Sequence, residues 1–424
     1  MDTIYAISSG QPPAAIAVLR VSGTLAGAAL DSLAGGQPAP RHASLRALRG
    51  RDGTIIDQAL VLWFPGPNTA TGEDLAEFHL HGGRAVVAAA EAALSALPGF
   101  RRAEPGEFTR RAFANGRIDL AEAEGLSDLL SAETELQRLA AFEMASGAFS
   151  RQIALWLERL LVLSASIEAV LDFDDEDDVK SIDATFAYKI SALQSDIETC
   201  LAAPGAEILR EGYRVVLAGP PNAGKSTLFN ALVDSEAAIT APSAGTTRDV
   251  LVRPIALGGV PFSFIDTAGL RDEGAEEVEA IGIARARQEL VRADLVLWLG
   301  VEGEGPDGAW EIEAQADRAG HVKKADPVVR VSALTGAGMA DLKQALVSHA
   351  MAAMPRPGEA ALNARQRALL HDAAEALAGA GGETDPLLVA ERLRLARVCF
   401  DRLTGRAATE DMLDTLFGRF CIGK

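Results

Sequence analysis

Apolar and polar residues alternate in short runs along the N-terminal part of the chain, and a period of two is typical of half-buried strands. The alternation predicts strands at 3–7, 15–21, 58–64 and 74–81, each bounded by turn residues. A helix is predicted at 85–97, because a Pro-Gly pair follows an Ala-rich segment with helical spacing. We therefore predict an N-terminal α+β domain.

Two long stretches show the helical period instead. Apolar residues recur three or four positions apart from about 120 to 200, and the chain reads as helical again after 355–357. Between these stretches, continuous apolar runs at 213–218, 260–265 and 295–299 are typical of buried parallel strands. We predict a multidomain chain in which an α/β domain is inserted into one helical domain. The predicted boundaries are 1–117 for the α+β domain, 118–210 and 353–424 for the helical domain, and 211–352 for the α/β domain.

The composition of the 424 residues is that of a globular protein, with 48% hydrophobic and 23% charged residues. The formal net charge is −19, and so acidic a surface argues against broad nucleic-acid binding by this chain alone. Three cysteines are too few for a disulfide framework or a zinc site. The start of the chain lacks a signal-peptide pattern and no apolar run is long enough to span a membrane, so we expect a cytoplasmic protein.

The strongest chemical signal is the segment Gly-Pro-Pro-Asn-Ala-Gly-Lys-Ser at 219–226, which fits the phosphate-loop pattern G-x-x-x-x-G-K-[ST]. A predicted strand leads into it and a helix is predicted at 225–232, which is the context that this loop requires. Glycines let the loop curl so that its backbone N–H groups point at the phosphates. Lys225 is expected to reach the β- and γ-phosphates, and the Ser226 hydroxyl to bind Mg²⁺.

Two further segments predict a Ras-like P-loop G domain. Asp-Thr-Ala-Gly at 266–269 follows an apolar strand, where the carboxylate can hold Mg²⁺ through water and the glycine N–H can contact the γ-phosphate. Gly-Thr-Thr at 245–247 offers a threonine for a second Mg²⁺ contact. The order and spacing of the three segments indicate a nucleotide switch rather than a P-loop kinase.

The base is predicted from a weaker signal. A guanine reader carries Asn-Lys-x-Asp, whose carboxylate pairs with the guanine N1 and N2 hydrogens. The candidate here is Lys-Lys-Ala-Asp at 323–326, in which Lys324 and Asp326 match and Lys323 stands where asparagine is expected. We favour guanine, and a solvated turn is the alternative interpretation of this segment.

The sequence must also supply a residue that positions the attacking water. In Ras-like proteins a glutamine after Asp-x-x-Gly orients the attacking water, but Leu270 occupies this position and cannot form a hydrogen bond. Glu277 and Glu279 follow shortly after it, and an ordinary exposed helix glutamate is the alternative for either.

Further segments extend over the whole chain in a characteristic order. They are Thr-Gly-Glu-Asp at 71–74, His-Gly-Gly at 81–83, Pro-Gly-Glu-Phe-Thr at 105–109, Arg-Ala-Phe-Ala-Asn-Gly-Arg at 111–117, the three switch segments at 219–227, 245–249 and 266–271, Glu-Val-Glu-Ala-Ile-Gly at 277–282 and Phe-Cys-Ile-Gly-Lys at 420–424. Taken together, they are highly specific. With them the chain resembles the MnmE (TrmE) family of bacterial tRNA-modification GTPases over essentially its whole length.

The resemblance implies modification of C5 of the wobble uridine (U34) of certain tRNAs to a carboxymethylaminomethyl- or aminomethyl-type group. It implies a homodimer through an N-terminal domain that binds a 5-formyl-tetrahydrofolate-type one-carbon donor. It also implies a basic, FAD-containing partner, MnmG, which forms a hetero-oligomer with this chain and makes most of the tRNA contact, and no stable membrane insertion. The folate-binding residues implied are Arg20, Glu77, Arg117 and Lys424, and Cys421 matches a family cysteine whose role in the modification is open.

For the G domain the resemblance implies Mg²⁺-dependent GTP hydrolysis, activated by K⁺ in place of an arginine finger. Ser226 and Thr247 match the Mg²⁺ ligands, and Glu279 matches the glutamate that orients the water. The K⁺ contacts implied are Asn222, Ala241, Ser243 and Thr246, with Ala241 and Ser243 acting through backbone carbonyls. The nucleotide-binding residues are Asn222, Ala223, Gly224, Lys225, Ser226, Thr227, Ala241, Ser243, Gly245, Thr246, Thr247, Asp266, Thr267, Ala268, Gly269, Lys324, Asp326, Ser332 and Ala333.

Two other classes of function stay open at this point. An RNA-binding ribosome-assembly GTPase would share the switch segments, although such proteins normally carry a basic RNA-binding appendage, which an acidic chain disfavours. A folate-binding scaffold with a degenerate, non-catalytic G domain is suggested by Lys323.

Overall fold

The computed structural model of the protein describes residues 2–172, 184–234, 252–266, 287–356 and 358–423. The chain divides into two compact units, Met1–Ser127 with Ala145–Ala154 and Phe400–Lys424, and Asp128–Met144 with Leu155–Cys399. The division falls within helices, so the four predicted domain ranges stay predictions. Within the described ranges, no helix is both long enough and apolar enough to cross a membrane.

The first unit contains a six-stranded sheet. Its strands are β1 Thr3–Ile7, β2 Ile16–Ser22, β3 Ser44–Arg49, β4 Ile55–Phe64, β5 Leu75–His81 and β6 Phe100–Arg102. Their order in the sheet is β3-β4-β5-β2-β1-β6, and neighbours are antiparallel except for β1 and β6. The helices of this unit are Ala26–Ala34, Arg84–Ser95, Glu107–Ala114 and Glu410–Phe417.

Alternation along the strands buries one face of this sheet. On β2, Ala17, Leu19 and Val21 are fully buried and pack with residues of helices Ala26–Ala34 and Arg84–Ser95 in one core. The predicted strands and the helix at 85–97 are confirmed to within a few residues. Sequence patterning missed β3, β6 and the first helix. The edge strand β3 is exposed along most of its length, so its alternation is faint.

The second unit contains a mixed, mostly parallel sheet. Its strands are β7 Tyr213–Ala218, β8 Val252–Leu257, β9 Val260–Asp266, β10 Leu295–Trp298, β11 Trp310–Glu313 and β12 Val329–Arg330. Their order is β12-β11-β10-β7-β9-β8, and only β8 and β9 are antiparallel. Strand β9 is buried along its whole length, as expected of a strand covered on both faces. The predicted α/β organisation is confirmed.

Helices make up most of the remaining described chain, as the helical period predicts. Those of the second unit are Ala184–Ala202, Glu207–Glu211, Lys225–Val233, Met339–Ala353 and Ala364–Gly381. Four more helices have residues in both units, namely Leu120–Ser131, Glu135–Ala145, Ala148–Asp172 and Pro386–Thr404.

The parallel strands β7, β9, β10, β11 and β12 bring their carboxyl ends to one edge of the second sheet. Ligands bind at this edge in open α/β sheets. The segments 219–224, 314–318 and 331–334 follow β7, β11 and β12, and Asp266 is the last residue of β9. The candidate site is therefore built from these segments.

Candidate functional site

The loop between β7 and the helix Lys225–Val233 requires glycine at two positions. Gly219 and Gly224 have φ angles of 146° and 93°, which residues with a Cβ rarely adopt. A Cβ on Gly219 would lie 3.1 Å from the backbone nitrogen of Gly300, and a Cβ on Gly224 would lie 3.0 Å from Gln315 Nε2. The loop can therefore pack closely against its neighbours only with glycine at both positions.

Lys225 begins the helix and turns its side chain back into the loop. Its Nζ donates hydrogen bonds to the carbonyl oxygens of Gly219 and Pro220, over 2.9 and 2.8 Å. The residue is only 7% exposed. The loop thus holds a buried positive charge at a helix N-terminus, where the helix dipole also favours an anion. This arrangement is suited to binding phosphate groups.

Ser226 and Asp266 come together beside the loop. Ser226 Oγ donates to Asp266 Oδ2 over 2.6 Å, and Asp266 is 2% exposed. Hydroxyl and carboxylate oxygens are ligands that Mg²⁺ prefers, and Mg²⁺ usually takes further ligands from phosphates and water. The pair therefore fits the predicted Mg²⁺ site. Among the described residues, no group of three or more His, Cys, Asp or Glu could hold a metal ion.

A cavity of about 210 Å³ lies beside the phosphate loop. It is lined by Gly224, Thr227, Leu228, Ala314, Gln315, Asp317, Arg318, Val331, Ala333 and Leu334. Three of these residues, Gly224, Thr227 and Ala333, are nucleotide-binding residues in the sequence prediction. The cavity therefore joins the phosphate loop to the segments that follow β11 and β12.

Side-chain hydrogen bonds connect the segments around this cavity. Gln315 Nε2 donates to the carbonyl oxygen of Asn222 in the phosphate loop over 3.1 Å. Ser332 Oγ donates to Asp317 Oδ1 over 2.6 Å, and this hydrogen bond is the main reason why the pKa of Asp317 lies below its ordinary value. Sequence reasoning missed Gln315 and Asp317, because the strand before them, Trp-Glu-Ile-Glu, is short and carries two charges. A polar run directly after that strand is the signal that could have found them.

Lys324 and Asp326, which the sequence predicts to bind the base, do not line this cavity. Lys324 Nζ donates to the Trp298 carbonyl oxygen over 2.7 Å and forms an ion pair with Glu311, and its side chain is fully buried. The Asp326 N–H donates to Glu302 over 2.9 Å. The structure shows that Lys324 pairs with Glu311 inside the fold, and the role of the two residues at the base stays a prediction.

The other predicted G-domain residues, and one folate-site residue, lie outside the described ranges. They are Ala241, Ser243, Gly245, Thr246, Thr247, Thr267, Ala268, Gly269, Glu279 and Lys424. Their roles stay predictions.

Two predicted folate-binding residues are partners in the first sheet. Arg20 on β2 and Glu77 on β5 are opposite each other in the strand register. Arg20 Nε and Nη2 donate to Glu77 Oε1 over 3.0 and 2.8 Å, and Glu77 Oε2 lies 3.2 Å from His79 Nε2. The Arg20 guanidinium also lies 6.0 Å from the centre of the Phe108 ring. The ion pair is partly exposed, so it can contact a ligand.

Arg117 lies beside the Thr-Gly-Glu-Asp segment at 71–74. A Cβ on Gly72 would be 3.2 Å from Arg117 Cγ, and Asn115 Nδ2 donates to the Thr71 carbonyl oxygen over 2.7 Å. Arg117 is exposed, so its charge is accessible to solvent. Arg117, a predicted folate-binding residue, therefore lies next to the 71–74 segment.

The described end of the C-terminal tail lies against the first sheet. Ile422 forms an isolated β-bridge with Pro105, and Gly423 has a φ angle of 95°. A Cβ on Gly423 would lie 2.0 Å from the Ile7 carbonyl oxygen, so only glycine fits there. Cys421 is exposed beside this contact, which leaves its thiol accessible to reagents or ligands.

Comparisons with known proteins agree with this picture. The family model of the MnmE helical domain matches residues 120–421, and that of the GTP-binding protein TrmE N-terminus matches residues 3–117. The tRNA modification GTPases MnmE of Novosphingobium aromaticivorans and Erythrobacter litoralis are 63% and 60% identical to this chain, and each match covers 100% of both proteins. The G domain of the T. maritima FeoB iron transporter is 28% identical over 32% of this chain and 98% of its own, with a TM-score of 0.23. The chain belongs to the MnmE family of tRNA modification GTPases.

Proposed function

We propose that this chain hydrolyses GTP to GDP and phosphate. The observation that carries the proposal is the buried Lys225 ammonium inside the phosphate loop, next to the Ser226–Asp266 pair. Phosphoryl transfer requires little covalent chemistry from the protein, because positioning and charge stabilisation supply most of the catalysis. The family relatives, which are named as GTPases, support the same reaction.

The proposed reaction requires Mg²⁺ and is activated by K⁺. Ser226 and Thr247 would hold Mg²⁺ directly, and Asp266 through water. Asn222 is exposed in the phosphate loop with a φ of 61°, a conformation that asparagine tolerates better than most residues, and its side-chain oxygen would hold K⁺. When bound, the two cations neutralise charge on the triphosphate. The further K⁺ contacts in this proposal are Ala241, Ser243 and Thr246.

The ion dependence can be tested with the full chain in K⁺ and Na⁺ buffers of equal ionic strength. We expect GTP turnover to be about tenfold or more faster in K⁺, because K⁺ would neutralise charge that develops in the transition state. Asn222→Ala should lose most of this difference, whereas Asn230→Ala, at an exposed asparagine in the following helix, should keep it. Equal wild-type rates in the two buffers would remove K⁺ from the proposal.

We assign the orientation of the attacking water to Glu279. Leu270 cannot do so, and Glu279 is the family match for this role. Glu279→Ala should slow hydrolysis about 100- to 1,000-fold with nearly unchanged nucleotide affinity, since the residue acts only in the transition state. Glu277→Ala is the matched control. A rate loss in Glu277→Ala instead would transfer the role to that residue.

We further propose that GTP hydrolysis serves the modification of C5 of U34 in certain tRNAs, to a carboxymethylaminomethyl- or aminomethyl-type group. The chain would act in the cytoplasm as a homodimer, together with the basic, FAD-containing partner MnmG. The net charge of −19 supports a partner that makes most of the contact with the tRNA backbone. Mass spectrometry of tRNA nucleosides should show loss of the modification in a strain without this chain, and its return on re-expression. Normal U34 in that strain, together with retention of the chain on ribosomal subunits when it is re-expressed, would favour the ribosome-assembly alternative.

A 5-formyl-tetrahydrofolate-type donor is the proposed source of the one-carbon unit. Arg20, Glu77, Arg117 and Lys424 would bind it, and Cys421 is the candidate for chemistry. The partly exposed Arg20–Glu77 pair supports this assignment, because it offers both a charged donor and a charged acceptor. In calorimetry with 5-formyl-tetrahydrofolate, Arg20→Met should weaken binding about tenfold or more. Arg46→Met, at an exposed arginine of the same sheet, should bind like wild type.

A further inference from the structure

One edge of the first sheet is basic, although the chain as a whole is acidic. Residues 32–51 contain four arginines, Arg41, Arg46, Arg49 and Arg51, but no aspartate or glutamate. The formal net charge of the chain is −19, so acidic residues outnumber basic ones elsewhere. The segment includes β3, which is an edge strand of the sheet. We call these four residues the arginine edge, because they follow this strand and the loops at its two ends.

The charges of the arginine edge are accessible. All four residues are exposed, and within the part of the chain that the structure describes none of them forms an ion pair with a carboxylate. Three of them donate to backbone carbonyl oxygens instead, namely Arg41 to Asn68, Arg49 to Gly53 and Arg51 to Ala96. A carbonyl oxygen carries no net charge, so these hydrogen bonds orient the guanidinium groups without neutralising them. The Arg41 guanidinium also lies 5.7 Å from the centre of the Phe64 ring.

Protection of the sheet edge does not account for this charge. A charged residue or a proline on an edge strand commonly keeps it from pairing with another chain. Strand β8, at an edge of the second sheet, has one of each, Arg253 and Pro254. Two residues of the arginine edge, Arg41 and Arg51, lie outside β3, where they do not block pairing with its backbone. The excess of positive charge therefore points to a ligand of opposite charge.

The arrangement suits a phosphate backbone. At about 3.3 Å per residue, the six residues of β3 extend over about 17 Å. A nucleic-acid duplex carries one phosphate about every 3.4 Å of helix axis on each strand, so several phosphates can face this length. All four residues are arginines, whose guanidinium groups form bidentate hydrogen bonds with phosphate oxygens. A chain of regularly spaced phosphates therefore fits this edge better than a single anion does.

We propose that the arginine edge binds the phosphate backbone of tRNA. The inference rests on the proposed tRNA modification, to which it adds the surface by which this chain itself contacts its substrate. RNA is favoured over an anionic lipid surface because the chain belongs to a family named for tRNA modification. The partner would still make most of the tRNA contact, since the rest of this chain is acidic.

The test measures the binding of an unmodified tRNA transcript with U34 to the full chain, by fluorescence anisotropy at several KCl concentrations. The glutamine variant, Arg46→Gln with Arg49→Gln, removes two of the four charges. The lysine variant, Arg46→Lys with Arg49→Lys, keeps them. Arg253→Gln is the matched control, because Arg253 is an exposed arginine on the edge strand of the other sheet.

The wild-type chain should bind the transcript with a log Kd that rises linearly with log salt, with a slope of about 3 to 4, since each neutralised phosphate releases about 0.9 counterion. The glutamine variant should lower this slope by about two and weaken binding about tenfold or more near 0.1 M salt. The lysine variant should keep most of the affinity, and Arg253→Gln should bind like wild type. Unchanged GTP turnover in the glutamine variant would show that it is folded.

Several outcomes would overturn the inference. Equal affinity and equal salt slope in wild type and the glutamine variant would do so, as would an equal loss in Arg253→Gln. A lysine variant as weak as the glutamine variant would mean that the charge is not what binds. A wild-type chain that binds vesicles of anionic lipid but not the transcript would assign the arginine edge to a membrane surface.

Failure of this inference can be distinguished from failure of the proposed function. Loss of the U34 modification in the strain without this chain, combined with wild-type tRNA binding by the glutamine variant, would overturn the role of the arginine edge alone. Normal U34 in that strain would overturn the proposed tRNA modification and, with it, the assignment of tRNA as the ligand of this edge.

Discussion

The phosphate side and the base side of the candidate nucleotide site are built in different ways. The phosphate side is one continuous loop, in which backbone carbonyls of the loop itself hold Lys225. The base side consists of the two loops at 314–318 and 331–334. It depends on single side-chain hydrogen bonds, from Ser332 to Asp317 and from Gln315 to Asn222. A single hydrogen bond contributes about 1 kcal/mol when both groups are neutral and about 1.5 to 3 kcal/mol when one of them is charged. Substitutions on the phosphate side should therefore abolish hydrolysis, whereas those on the base side should change affinity and selectivity.

The largest effect is expected from Lys225→Ala. Removing the buried ammonium should reduce GTP turnover about 1,000-fold or more, because a charge positioned for the transition state is lost. Phosphate release at saturating GTP measures this loss, and circular dichroism checks that the variant is folded. Lys189→Ala, at an exposed lysine, should keep the wild-type rate. If Lys225→Ala kept more than about a tenth of the wild-type rate, the claim that hydrolysis depends on the phosphate side would be wrong.

The same difference explains what could be predicted from the sequence. The phosphate loop is contiguous, so its glycines, Lys225 and Ser226 were identified by spacing alone, and the structure places them together with Asp266. Asp317 and Ser332 are fifteen residues apart and meet only because β11 and β12 are parallel neighbours. Lys324 and Asp326 matched a linear pattern, but a pattern does not show that Glu311 already neutralises the lysine.

The fold was predictable to a similar extent. The buried runs at β7 and β9 were located to within one residue, because strands covered on both faces are continuously apolar. The edge strand β3 and the four-residue β11 were missed, since exposure or shortness removes the alternation on which the prediction depends. Prediction was therefore weakest at β11, the strand that positions the base side.

A smaller effect, on stability rather than rate, is expected from Lys324→Met. The variant would leave the carboxylate of Glu311 without its buried cation, which should cost about 2 kcal/mol in the free energy of unfolding. Urea denaturation measures this cost, and Lys323→Met, at the exposed neighbouring lysine, should change stability by less than about 0.5 kcal/mol. Because Lys324 does not line the cavity, GDP affinity of the folded variant should stay within about threefold of wild type. A large, selective loss of guanine-nucleotide binding in Lys324→Met would instead mean that Lys324 contacts the base.

A more modest effect is expected from Gln315→Glu. This nearly isosteric change replaces the Nε2 donor with an oxygen that faces the Asn222 carbonyl, so the base side loses its link to the phosphate loop. Affinity for GDP should fall about tenfold, while the turnover at saturating GTP changes little. Gln315→Lys restores a donor and should bind GDP nearly as well as wild type. Equal affinities in all three proteins would show that the two sides are not connected through this contact.

The smallest effect concerns the ion pair between His321 and Glu313, next to the base side. His321 Nε2 lies 2.9 Å from Glu313 Oε1, and His321 Nδ1 lies 2.9 Å from the Arg318 carbonyl oxygen, so both ring nitrogens face acceptors. These contacts raise the pKa of His321, chiefly through the Glu313 hydrogen bond, and the histidine in turn lowers the pKa of Glu313. Glu313 also accepts from Arg330 Nε over 3.2 Å.

The two shifts define the pH range in which the pair stabilises the fold. The contribution of His321 is complete below its ordinary pKa of 6.5 and is lost as the pH rises through its raised folded value. The contribution of Glu313 is present above its ordinary pKa of 4.5 and is lost as the pH falls through its lowered folded value. His321→Gln should therefore be destabilised most at about pH 6 and approach wild-type stability by about pH 9, as measured by urea denaturation. The exposed His42, changed to Gln, should show no such trend, and a His321→Gln deficit that persisted unchanged at high pH would mean that the ring acts by packing rather than by charge.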